Sequence, residues 1–127
     1  MPATGFHDYA KSIADYLNTL SAAGRIARVS LETDPRSIMR GLIVGRLLFD
    51  DGSELHFREF VDLTLPEPRM MYAYHYQDAS QALILRYDNA AHRPALSQPA
   101  HKHTPSSVTA SPAPTLTHVI DEILIER

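Results

Sequence analysis

Five of the seven histidines fall in the second half of the chain, and His92, His101 and His103 lie within twelve residues of one another. Arg93 and Lys102 are interleaved with them, and Arg86-Tyr87-Asp88-Asn89 just before adds a further cation and a carboxylate. Imidazole is the side chain whose ordinary pKa lets it give and take a proton near neutral pH. Cleavage of RNA through its own 2′-hydroxyl needs a base for that hydroxyl, an acid for the leaving oxygen and a cation for the charge that builds on phosphorus. Two histidines with Arg86, Arg93 or Lys102 supply all three without a metal or an organic cofactor. In this reading His101 and His103 are acid and base, Lys102 and Arg86 stabilise the phosphate, Asp88 orients an imidazole, and His92 completes the cluster.

The same residues admit two other readings. His101 and His103 alternate as metal ligands would on one face of a strand, with Asp88 or Glu59 supplying an oxygen, which would make the chain a metal-binding hydrolase. H-x-H is a weak signature, however, and no H-E-x-x-H helix accompanies it. Alternatively the His- and Pro-rich stretch docks a protein partner and catalyses nothing. Elsewhere, Tyr72, Tyr74 and Tyr76 read as a sheet-packing face rather than a base-stacking platform. Glu59 reads as a solvated strand residue and His118 as a solvent-facing helix residue. There is no G-x-G-x-x-G, no phosphate-cradling loop and no Ser nucleophile elbow.

The elements that must position these groups follow from the hydrophobic pattern. Phe6, Tyr9, Ile13, Tyr16, Leu17 and Leu20 recur at helical spacing, with Thr4 placed to cap the start and Gly24 the end. From Arg25 to Asp88 the period falls to two, predicting strands at 26–31, 38–50, 55–63, 69–77 and 82–88. The second of these is long enough to hold a bulge near Gly41 or Gly45. Asp51-Gly52 is the strongest turn signal, because Asp-Gly suits the positive φ of a tight hairpin. Residues 94–114 carry five of the nine prolines, which predicts an irregular loop over about 89–113. Leu116, Val119, Ile120, Ile123 and Leu124 form the stripe of a closing helix, capped by Ser111 or Thr115. The expected fold class is α+β: an antiparallel β-meander of about five strands with N- and C-terminal helices packed on the sheet.

At 127 residues the chain is expected to be a single domain spanning 1–127, able to bury a core without staples. It has no cysteine, which excludes disulfides, thiolate metal sites and cysteine nucleophiles. The formal charge is −3, from 12 basic and 15 acidic residues, and its sign depends on how many histidines are protonated. A local basic cluster can still bind phosphate on an acidic protein, and such binding weakens steeply with salt. No apolar run approaches the ~20 residues of a membrane helix. Met1-Pro2-Ala3-Thr4-Gly5 lacks the basic and apolar regions of a secretory signal. These features predict a cytoplasmic protein with no membrane partner, and the unpaired edges of a meander leave a homodimer open.

Several stretches in order carry a resemblance: Asp51-Gly52-Ser53-x-Leu55, then Tyr72-x-Tyr74-His75-Tyr76-Gln77-Asp78, then Arg86-Tyr87-Asp88-Asn89-x-x-His92 and His101-Lys102-His103. With a closing amphipathic helix, this resembles the TumE-type toxins of type II toxin–antitoxin systems over roughly residues 41–127. The family pattern favours a proline just before the first motif histidine, where this chain has Ala91. The resemblance marks Arg86, Asp88, Asn89, His92, His101, Lys102 and His103 as motif positions. It implies a small cytoplasmic toxin neutralised by a cognate antitoxin encoded beside it. Many type II toxins are ribonucleases, which fits an endoribonuclease that binds and cuts RNA with the His/Lys/Arg cluster.

Overall fold

A computed structural model describes residues 5–89 and 100–125. Helix α1 (Phe6–Ala22) is followed by strands β1 (Arg28–Pro35), β2 (Arg40–Leu48), β3 (Glu54–Asp62), β4 (Arg69–Gln77), β5 (Leu83–Asp88), β6 (His101–Thr104) and β7 (Ser107–Ala110), and by helix α2 (Leu116–Ile125). All seven strands form one antiparallel sheet in chain order, with β1 and β7 at its edges. None of the helices is long and apolar enough to cross a membrane, among the described residues.

The α+β meander is as expected, but it has two more strands than the prolines suggested. The expected irregular loop contains the β6–β7 hairpin, whose register runs His101↔Ala110 to Thr104↔Ser107. The reason is where the prolines fall. Pro105 sits in the turn, and Pro112 and Pro114 come after β7, so none occupies a position whose N–H the ladder needs. His-Lys-His-Thr and Ser-Val-Thr-Ala are then free to pair.

Both helices pack on one face of the sheet. That face carries Ile43 and Leu47 of β2, Leu55, Phe57 and Val61 of β3, Tyr72, Tyr74 and Tyr76 of β4, and Leu85 and Tyr87 of β5, in one cluster with Phe6, Leu17, Leu116, Val119, Ile120 and Ile123. The tyrosines are buried, as their alternation predicted. Gly24 has φ +77° and ends α1: its N–H reaches Ser21 O at 3.0 Å and Arg25 N–H reaches Leu20 O at 2.9 Å, a Schellman motif. At the other end the N-cap is Gly5, with no side-chain cap, and Phe6 N–H is satisfied by Ile38 O at 2.7 Å. The expected cap Thr4 lies outside the described residues. Thr115 caps α2, accepting His118 N–H on its hydroxyl at 3.2 Å. His118 itself is exposed.

The bulge expected near Gly41 or Gly45 is absent, since β2 pairs in continuous register with both neighbours. The glycines instead make room for rings. A Cβ at Gly45 would overlap the Phe57 ring, and one at Gly41 would overlap the Phe6 ring. Gly45→Val should therefore lower stability by about 1–3 kcal/mol, the usual cost of forcing extra methyls into a packed core. A fall in the urea midpoint checks it, whereas an unchanged midpoint would mean that Phe57 can step aside.

Candidate functional site

The face of the sheet opposite the helices carries a concentration of arginine and histidine side chains. Strand pairing sets Arg46 opposite His56, His56 opposite His75, His75 opposite Arg86, and Arg86 opposite His103. Since neighbouring strands are about 4.8 Å apart and paired residues share a face, these five side chains form an unbroken row across β2 to β6. Two residues further along each strand, a second row runs Arg58, Ala73, Asp88 and His101. Ala73 is the small member, which leaves the space over β4 open. The rows floor a groove of about 790 Å³ lined by Arg28, Arg46, Arg58, Arg86, His56 and His75, with Glu32 as the acidic residue in the lining. A chain of net charge −3 thus presents a concave basic surface.

Asp88 is the hub at one end of this groove. Its Oδ2 accepts Arg86 Nε–H at 2.9 Å and lies 3.2 Å from His103 Nε2, while Oδ1 lies 3.4 Å from His101 Nδ1. Burial alone would push this carboxyl up; Arg86, His103 and His101 more than offset that and hold it below the usual carboxylate range. It is therefore an anion at neutral pH. Arg86 Nη1 also lies 3.4 Å from His75 Nδ1. Partial burial, and then the Arg86 charge, push the His75 pKa down, so at neutral pH its imidazole is the neutral, proton-accepting form. The His56 and His75 rings follow at 6.3 Å between centroids.

The structure brings together Arg86, Asp88, His101 and His103 and separates Lys102 from them. Alternation along β6 turns Lys102 to the helix face, where its Nζ donates to Glu122 Oε2 at 2.8 Å and sits 5.1 Å over the Tyr87 ring. The role of phosphate stabiliser expected of Lys102 thus has no support in this arrangement. His101 is on the same face but only 1% exposed, so it lies beneath the cluster, while His103 beside it is partly exposed. His92 and Arg93 lie outside the described residues. Asn89 closes the β4–β5 ladder, its Oδ1 accepting Tyr72 N–H at 3.0 Å and its Nδ2 donating to Met70 O at 3.2 Å.

Sequence reasoning missed Arg28, Arg46, Arg58 and His56, and set His75 aside from the site. Arg46, His56, Arg58 and His75 each stand between two buried residues of a strand, so only a position on the off-beat of the alternation pointed to them. Glu59 corrects an expectation: it is on the helix face and 1% exposed, not solvated. It accepts hydrogen bonds from the Tyr9 and Tyr74 hydroxyls. As a ligand beside His101 and His103 it is ruled out by facing the other way.

No curated protein and no solved structure matches the chain. Residues 10–127, from within α1 through the whole sheet to α2, match the family model described as Toxin TumE, and the chain belongs to that toxin family.

Proposed function

We propose that this toxin is a metal-independent endoribonuclease whose reaction centre is Arg86 with an imidazole on each side. Membership of a toxin family implies a cognate antitoxin. The observation that carries the catalytic reading is the His75–Arg86–His103 segment of the open row, because those strands pair in that order. His75 and His103 stand two strands apart, about 9.6 Å between backbones, the span of a phosphodiester with an imidazole on either side. Neutral His75 takes the proton of the 2′-hydroxyl as its oxygen attacks phosphorus. His103, held by Asp88, gives a proton to the departing 5′-oxygen. Arg86 donates to the non-bridging oxygens as negative charge builds there, and Arg58 and Arg46 hold the flanking backbone. The products are a 2′,3′-cyclic phosphate and a 5′-hydroxyl. His101 positions Asp88 and touches no substrate.

The tyrosines face the core, so the groove offers charge rather than stacking and should grip backbone more than bases. Induced expression of the wild type should arrest bacterial growth, and His103→Ala or co-expression of the neighbouring antitoxin should relieve the arrest. Purified protein in excess chelator should leave 2′,3′-cyclic ends on RNA and leave DNA uncut, since DNA has no 2′-hydroxyl. Arrest without any RNA cleavage would refute the ribonuclease reading while leaving the toxin intact.

A further inference from the structure

The carboxylate and the two imidazoles at the end of the groove have a geometry that proton transfer alone does not require. One ligand atom from each of Asp88, His101 and His103 lies within 4.8 Å of the other two. The carboxylate oxygens are 3.4 Å from His101 Nδ1 and 3.2 Å from His103 Nε2. Bonds of about 2.1 Å to a tetrahedral ion set ligand atoms about 3.4 Å apart, so each imidazole already stands at a chelating distance from one oxygen of the carboxylate. We infer that Asp88, His101 and His103 form a binding site for a divalent transition-metal ion, and that filling it switches the nuclease off.

Two nitrogens and one carboxylate oxygen select borderline ions such as zinc, cobalt, nickel or copper over magnesium or calcium, which prefer all-oxygen shells. The site is preorganised. Asp88 and His101 are buried, and they sit opposite each other on paired strands. His101 and His103 are two apart on β6 and so share a face. Arg86 donates to Asp88 Oδ2 at 2.9 Å, the kind of outer hydrogen bond that orients a ligating carboxylate. His103 is partly exposed elsewhere on its side chain, while its Nε2, the ligating atom, is buried against Asp88. An ion there takes the imidazole lone pair of His103 and so prevents the imidazolium form, leaving only a neutral N–H, a poor acid towards a leaving oxygen. The switching half of the inference rests on the ribonuclease reading; the binding half does not.

The test uses tag-free, chelator-stripped full chain titrated with cobalt chloride and with zinc chloride. Tetrahedral cobalt gives visible absorption bands, and calorimetry gives stoichiometry, so neither readout needs activity. One ion per chain is expected, with affinity falling at least ~100-fold in His103→Ala and in Asp88→Asn, more than loss of an outer partner costs. It should be unchanged in His118→Ala, whose imidazole lies on α2, away from the groove. Failure to bind either ion, or binding that survives both ligand variants, overturns the site. In parallel, RNA cleavage by stripped wild type should stop at one equivalent of zinc. Cleavage that ignores bound zinc, or that starts only when zinc is added, overturns the switch, and the latter also removes metal independence. If no RNA is cut under any condition, the ribonuclease reading and the switch fall together, while the cobalt bands and the ligand variants still decide the site.

Discussion

Arg86→Ala should lower RNA cleavage by about 10²–10³-fold, the usual cost of removing one donor from a charge-stabilising site, and should relieve growth arrest. Arg86 reaches both the buried carboxylate of Asp88 and the His75 ring. Its loss withdraws the donor from the phosphate and unpins Asp88 at the same time. Arg86→Lys keeps the charge but not the planar fork that meets two oxygens at once, so it should recover only part of the rate. A titration separates a chemical role from a merely structural one. Burial and the Arg86 guanidinium together hold the His75 pKa down. Removing the guanidinium must therefore move the His75 titration, followed by proton NMR, upward in Arg86→Gln. In the wild type, with His75 as base, the acid limb of the pH–rate profile should lie below the ordinary imidazole value. A His75 titration that does not move would detach Arg86 from the proposed base.

Glu59→Ala should lower stability by about 3–5 kcal/mol, read from urea or thermal unfolding. The carboxyl is buried between the layers and accepts from Tyr9 of α1 and Tyr74 of β4. Tyr74 in turn accepts from Arg69 Nη1 at 3.0 Å, and the same Nη1 donates to Pro114 O just before α2. Burial first, and Glu59 second, push both tyrosine pKa values far up, so both remain phenols that must donate. Truncation leaves a buried and a part-buried hydroxyl without their acceptor, at roughly 1–3 kcal/mol each, and adds a cavity term. Glu59→Gln keeps the volume and one acceptor oxygen, so its loss should be smaller. A Glu59→Ala protein as stable as the wild type would mean that water or a shifted partner satisfies both tyrosines. Because this network lies on the helix face, the groove residues of a folded Glu59→Gln protein should keep their titrations.

The sequence by itself determined the layers. Period-3.6 apolar spacing marked α1 and α2, period-2 spacing marked β1 to β5, and the Asp51-Gly52 turn was legible because Gly52 needs φ +85°. It also determined that Tyr72, Tyr74 and Tyr76 are core, since alternation assigns a whole strand face at once. It brought Arg86, Asp88, His101 and His103 under suspicion because they are close in sequence and rich in titratable chemistry. Only tertiary structure decided which of them lie together. Lys102 sits between His101 and His103 in the chain, yet once β6 exists, alternation sends it to the opposite side of the sheet. Conversely Arg46, His56 and His75 are separated by 10 and 19 residues and meet only through strand register, a non-local quantity that no local pattern encodes. The existence of β6 itself turned on the position of each proline relative to the ladder rather than on their number. Burial, too, was settled only in three dimensions: Glu59 and His101 are polar residues drawn inside because the fold supplies their hydrogen-bonding and charged partners there.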